Sequence, residues 1–116
     1  MSLARLRANF EASAPVFAAL GDATRLRLVS RLCRGGAMSI TDLASGASIT
    51  RQAITKHLHV LASAGLVYGS KLGREQRWEL KPQQLREVRR QLDLISQQWE
   101  QALDRLKASV ESNPDE

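Results

Sequence analysis

Gln52, Thr55, Lys56 and His59 stand at positions i, i+3, i+4 and i+7. On a helix such residues share one face. Together they offer an amide, a hydroxyl, an ammonium and an imidazole, a set that can hydrogen-bond to base edges and neutralise phosphates. The opposite face carries Ile54, Leu58 and Leu61, an i, i+4, i+7 stripe suited to burial. Thr50 stands where a helix cap belongs, and Arg51 flanks the first turn. Further along, Lys71, Arg74 and Arg77 form a second basic group. A solvated helix face alone would need no such company. The two groups together predict contact with nucleic acid.

The charge distribution points the same way. The chain has 116 residues, 17 Lys+Arg against 12 Asp+Glu and a net charge of +5. Residues 51–90 carry nine basic and three acidic side chains, whereas residues 91–116 carry two basic and six acidic. Positive charge is thus concentrated around the two basic groups, as a nucleic-acid-binding surface requires. No nucleophile motif and no glycine-rich phosphate loop is present, so neither an enzyme nor a cofactor is expected. Cys33 is the one cysteine and His57 and His59 are the two histidines, so no metal site is expected. A single thiol, the lack of an apolar run long enough to span a bilayer and the lack of a signal core predict a cytoplasmic protein with no membrane partner.

Helical periodicity dominates the elements that must hold these side chains. Leu3, Leu6 and Phe10 predict a first amphipathic helix ending near Pro15, followed by a short one over 16–20 that Gly21 ends. Asp22 caps a helix over 23–34, with Leu26, Leu28, Val29, Leu32 and Cys33 on its apolar arc and Cys33 expected to be buried. Arg25 lies inside that arc and needs an acidic side chain or helix-end carbonyls as partner. Arg27, Arg31 and Arg34 are expected on a solvated face. Ser39 and Asp42 resemble a capping box that opens a very short helix ending at Ser45-Gly46. The helix over 51–64 follows, with Gly65 at its end. The period then changes to two, with strands expected over 66–70 and 76–80, a loop at 71–75 and Trp78 in the core beneath the hairpin. Pro82 begins a long final helix reaching about residue 110. A short helix, a tight connection, a second helix and a basic hairpin make a mainly α fold with a small β-hairpin wing, the winged helix-turn-helix arrangement.

At three places the residues resemble one family. Asp22-Ala23-Thr24-Arg25-Leu26-Arg27-Leu28-Val29 resembles the D-x-T-R-x-x-I-L helix of ArsR-type bacterial repressors. The run from Ile54 to Val67 resembles their V-S-x-H-L-x-x-L-x-x-A-G-L-V recognition helix, and Gly73-Arg74-Glu75 with Trp78 and Leu80 resembles their wing. The resemblance implies a homodimeric DNA-binding repressor, often released from DNA by a ligand. Metal-sensing members use a Cys-x-Cys pair or Asp and His ligands on the last helix. Residues 37–43 hold no thiol or imidazole, and the last helix holds Asp93 and Glu100 but no histidine. His57 matches the family's histidine, but its flank position beside Ala53, Val60 and Ala64 suits a structural role or a single phosphate contact.

Leu85, Val88, Leu92, Ile95, Trp99, Ala102 and Leu106 alternate in steps of three and four, an a/d pattern over about three heptads. Such a stripe predicts pairing between chains, joined by Leu3, Leu6 and Phe10; a helix folded onto its own core is the alternative. The expected organisation is one winged helix-turn-helix domain over 1–111, with a dimerisation helix at 1–14, a DNA-binding core at 15–81 including the wing at 66–80, a second dimerisation helix at 82–111 and a flexible tail at 112–116. The partners expected are double-stranded DNA on an inverted repeat, a second copy of the chain and, if there is one, a small-molecule inducer. The rival readings are a winged-helix protein-interaction module without specific DNA binding, and an enzyme subunit with a pocket between dimer helices.

Overall fold

The structure is a computed structural model and describes residues 2–112. The expected tail residues 113–116 lie outside the described residues. Among the described residues five helices and three strands follow in the order α1 (Leu3–Leu20), α2 (Ala23–Gly35), β1 (Met38–Ser39), α3 (Ile40–Ala44), α4 (Arg51–Ser63), β2 (Val67–Leu72), β3 (Glu75–Leu80) and α5 (Pro82–Glu111). Leu28, Leu32, Leu43, Ile54, Leu58, Leu61, Leu66 and Trp78 are the centre of the core, where α1, α2 and α4 meet over the sheet. Among the described residues no helix is long and apolar enough to cross a membrane.

The expected break at Pro15 does not occur. α1 runs unbroken from Leu3 to Leu20 with Pro15 inside it. An internal proline removes one backbone hydrogen bond. Here Ser13, Val16 and Ala19 are buried on either side of it, and that burial holds the helix in register across the missing bond. Ser2 caps the start, its hydroxyl accepting from the Arg5 N–H at 3.1 Å.

The hairpin also departs from expectation. Its strands run to Leu72 and from Glu75, so the loop is only Gly73-Arg74. Gly73 has φ +63° and no other residue than glycine has positive φ among those described, the pattern of a type II′ turn with glycine first. Lys71 is therefore a strand residue opposite Gln76. A third strand, unforeseen in the sequence, completes the sheet in the order β1-β3-β2, with Met38 opposite Trp78 and Ser39 opposite Arg77. Two residues are too few to show any alternation.

Cys33 is exposed, not buried, and Leu26 is half exposed. These two positions are seven apart and share one side of α2. The core covers only Leu28, Val29 and Leu32, which lie around the helix from them. α5 begins at Pro82 with no side-chain cap from Lys81. Its 30 residues, about 45 Å by helical rise, elongate the molecule to 72 × 32 × 20 Å. Val88 is buried and Leu85 half-buried against the chain's own core. Gln91, also fully buried, donates to Ser13 Oγ at 2.6 Å and the Asn9 carbonyl at 2.8 Å, latching α5 to α1. Its polar side chain sits beside the apolar stripe, and no spacing in the sequence marks it.

Candidate nucleic-acid interface

α3 is only five residues long, and three devices fix it. Ser39 and Asp42 form the reciprocal capping box, with Asp42 N–H donating to Ser39 Oγ at 3.0 Å and Ser39 N–H to Asp42 Oδ2 at 3.4 Å. Leu43 is fully buried. At the other end Arg31 donates to the Leu43 carbonyl at 2.7 Å and the Asp42 carbonyl at 3.0 Å. Arg31 is thus a clamp on the orphan carbonyls of a helix end, not the solvated cation expected. Arg27 and Arg34 are exposed as expected.

Residues 45–50 then turn the chain into α4. Thr50 caps α4, its hydroxyl accepting from the Ala53 N–H at 3.1 Å. Ile54, Leu58 and Leu61 are fully buried, which fixes the rotation of the helix. Arg51, Gln52, Lys56 and His59 are consequently exposed together, with Thr55 half-buried between them. Thr55 Oγ1 donates to the Arg51 carbonyl at 2.9 Å, so its proton is engaged within the helix. Gln52 makes no such bond among the described residues. α4 ends at Gly65, whose φ of +78° permits the Leu66 N–H to reach the Leu61 carbonyl at 3.0 Å and the Gly65 N–H to reach the Ala62 carbonyl at 2.9 Å. This is the Schellman arrangement, and it delivers the chain directly into β2.

His57 and Arg25 join three helices. Arg25 Nε donates to the Ala19 carbonyl at 2.6 Å, at the end of α1, the helix-end partner its position called for. Its Nη1 lies 3.4 Å from His57 Nδ1 on α4. His57 Nδ1 is also 3.9 Å from Asp22 Oδ2. A guanidinium can only donate, so the shorter contact is a hydrogen bond in the tautomer that leaves Nδ1 unprotonated. Asp22 accepts from the Arg25 N–H at 2.9 Å as the cap of α2. That backbone bond, aided by the positive Arg25, holds its carboxyl below the usual aspartate range. His57 is half-buried and positions α4 against α1 and α2.

Beside α4 stands the hairpin. Lys71 and Arg74 are exposed, Arg74 in the turn itself. Arg77 is different: half-buried on the middle strand, with Nε 3.7 Å from Glu75 Oε2. Its charge is partly answered within the hairpin. Trp78 is buried under the sheet, and its ring meets that of His59 at 5.8 Å between centroids. His59 therefore ties α4 to the wing as well as facing outward. Gly69 lies opposite Trp78, and a Cβ there would come to 2.8 Å from Gln76 Nε2 and 3.6 Å from the Trp78 ring. Across the same strands the Tyr68 hydroxyl donates to Glu79 Oε2, which raises the phenol above its ordinary range. Tyr68 and Glu79 brace the wing; no spacing in the sequence marks them, because cross-strand register is set only once the turn length is known.

Among the described residues no three His, Cys, Asp or Glu side chains are grouped so as to hold a metal ion. The structure brings Arg51, Gln52, Thr55, Lys56 and His59 onto one surface of α4, with Lys71 and Arg74 on the adjoining hairpin. Thr50, His57 and Arg77 are at its edge, each with a structural bond of its own.

Residues 20–68 match the helix-turn-helix domain family. An HTH-type transcriptional regulator of Mycobacterium tuberculosis is 33% identical over 98 residues, covering 84% of this chain and 88% of that protein. Among solved structures, an ArsR-like transcriptional regulator from Rhodococcus sp. RHA1 is 37% identical with a TM-score of 0.72, covering 85% of this chain and 92% of that one. A possible transcriptional regulator for arsenical resistance is 38% identical with a TM-score of 0.61, covering 78% and 91%.

Proposed function

The chain belongs to the ArsR-like helix-turn-helix transcriptional regulators, and from that premise we propose that it works in the cytoplasm as a homodimeric repressor on an inverted-repeat operator. It is a DNA-binding transcriptional regulator and not an enzyme. The observation that carries the finer reading is the outward row Arg51, Gln52, Lys56 and His59 on α4, flanked by Lys71 and Arg74. α4 enters the major groove, where Gln52 reads a base edge and Lys56 meets phosphate. Thr55 adds an acceptor, and the wing lies along the backbone with Arg74 foremost. Thr50, His57 and Arg77 contribute at most phosphate contacts from the edge of this surface.

Dimerisation follows from what α5 leaves bare. Leu92, Ile95, Trp99, Leu103, Leu106 and Val110 are all exposed in the single chain and fall on one side of the helix. With exposed Leu3 and half-buried Leu6 and Phe10 they form the surface between two copies. Residues 3–14 and 82–111 act as the dimerisation helices around a DNA-binding core at 15–81. Leu85 and Val88 begin the same row but serve the chain's own core. Two copies place two recognition helices about 34–36 Å apart, one turn of duplex.

The test is selection of duplexes from a random pool, followed by affinity across a salt series. Lys56, Lys71 and Arg74 from two chains make roughly six phosphate contacts, so the log–log slope should be about −5. A slope near zero and no enriched sequence would return the fold to the role of a protein-interaction scaffold.

The proposed repressor does not respond to metals or metalloids. Arsenite and soft divalent ions are held by clustered thiolates, and Cys33 stands exposed on α2 as the chain's one cysteine. Stoichiometric zinc, cadmium or arsenite should leave operator affinity unchanged in a mobility-shift titration. A metal-induced loss of binding that Cys33→Ser abolishes would overturn this.

A further inference from the structure

The turn from α3 to α4 arches over a cavity of about 390 Å3 facing α2. Its floor is apolar, made by Leu28 with the fully buried Leu43 and Ile54, and Ile49 closes one side. Arg27, Arg31 and Thr24 of α2 line it from the other side, and among the described residues no acidic side chain lines it. Arg27 and Arg31 are one helical turn apart, and like charges at that spacing repel. Among the described residues neither guanidinium pairs with a carboxylate. Arg27 Nη2 donates only to Thr24 Oγ1 at 3.3 Å, and Arg31 is spent on main-chain carbonyls.

An apolar chamber of this size, lined by two guanidiniums that no carboxylate answers among the described residues, is the complement of one kind of small molecule. We propose that the cavity binds a small monocarboxylate with an apolar body, its carboxylate held by Arg27 and Arg31 and its body lying on Leu28, Leu43 and Ile54. A DNA phosphate could meet Arg27 at the rim, but a duplex backbone cannot send an apolar group down to Leu43.

Occupancy reaches the recognition helix through Arg31. In the free chain this side chain holds the carbonyls of Asp42 and Leu43 and so fixes the end of α3. A carboxylate is a stronger acceptor for a guanidinium than a neutral carbonyl. Drawing Arg31 inward frees the end of α3 and the turn at 45–49. That turn sets Thr50, the cap on which the first turn of α4 with Arg51 and Gln52 is built. Carboxylate binding therefore lowers affinity for DNA, within the range of about 5–150-fold usual for coupled sites. This coupling rests on the DNA-binding reading; the binding of the carboxylate does not.

The test uses the full chain and three probes: phenylacetate, 4-phenylbutyrate and octanoate. In two-dimensional amide NMR at least one probe should shift residues 24–31 and 43–54 saturably. Arg27→Gln should weaken that binding about tenfold, and 4-phenylbutyramide, uncharged, should bind correspondingly less well than 4-phenylbutyrate. Ala47→Trp, an exposed position in the turn, should fill the mouth and abolish the shifts while the thermal melt stays cooperative. Silence at these residues with all three probes, shifts confined to α5, or indifference to both variants overturns the site. On duplexes that the protein itself has selected, the bound probe should weaken affinity in the wild type and not in Ala47→Trp. An unchanged affinity with a saturated cavity overturns the coupling. If no duplex is selected, the failure lies with the DNA reading, and the NMR result still decides the site.

Discussion

Trp99→Ala should convert the protein from a dimer into monomers at micromolar concentration without unfolding it. α5 spends its first apolar residues, Leu85 and Val88, on the chain's own core. From Leu92 onward its row is bare, and Trp99 in the middle of it is 67% exposed. An indole so placed contributes little to the isolated fold, so its loss should leave the monomer's melting nearly intact. Buried in an interface, the same ring is the largest anchor the row can offer. Truncating a buried Trp costs about 3–5 kcal/mol, and in a symmetric dimer the loss occurs twice. Even about 3 kcal/mol in total weakens association more than a hundredfold. Operator affinity should fall with it, although no DNA-facing residue has changed. Charge reversal at exposed Glu111, near the end of the helix, should do neither. Sedimentation across a dilution series decides the matter. A mutant that stays dimeric would move the interface to α1 or elsewhere.

The same contrast between local pattern and tertiary setting runs through the whole chain. α4 is legible because one property settles it: with Ile54, Leu58 and Leu61 inward, the outward residues follow by rotation alone. Caps at Asp22, Ser39 and Thr50 are legible because they act within three residues. Pro15 misleads, since its local penalty is offset by burial at Ser13, Val16 and Ala19 that only the packing reveals. Cys33 misleads because an apolar arc is wider than the surface the core can cover. Arg31 reads as solvated because its acceptors lie 11 and 12 residues away in α3, beyond any helical spacing. Gln91 is invisible for the same reason, with Ser13 as its partner 78 residues earlier. The strand β1 has two residues and exists only through its pairing with β3. In the candidate site, the residue types and their shared face were legible. The bonds that already occupy Thr55, His57 and Arg77 were not, and these bonds redistribute the roles.

That redistribution gives Gln52 and Arg74 opposite signatures. Gln52 is exposed on the first turn of α4 with no bond of its own among the described residues, and its amide can both donate to and accept from a base edge, as an adenine requires. Replacing it by Ala should cost about 1–3 kcal/mol per half-site on the selected operator and much less on unrelated duplex, so the specificity ratio collapses. Thr55→Ala should cost less on the operator, because the hydroxyl proton is held by the Arg51 carbonyl. Arg74 sits in a turn two residues long at the far end of the hairpin, presenting its charge on an exposed side chain with no bond among the described residues to fix its orientation. Arg74→Ala should weaken binding to all duplexes alike and flatten the salt slope by about 2 per dimer, one released counterion for each lost contact. Competition binding against operator and scrambled duplex at several salt concentrations separates the two signatures. If Arg74→Ala changes which operator is preferred, the wing reads bases; if Gln52→Ala weakens operator and scrambled duplex equally, α4 only positions the protein and sequence is read elsewhere.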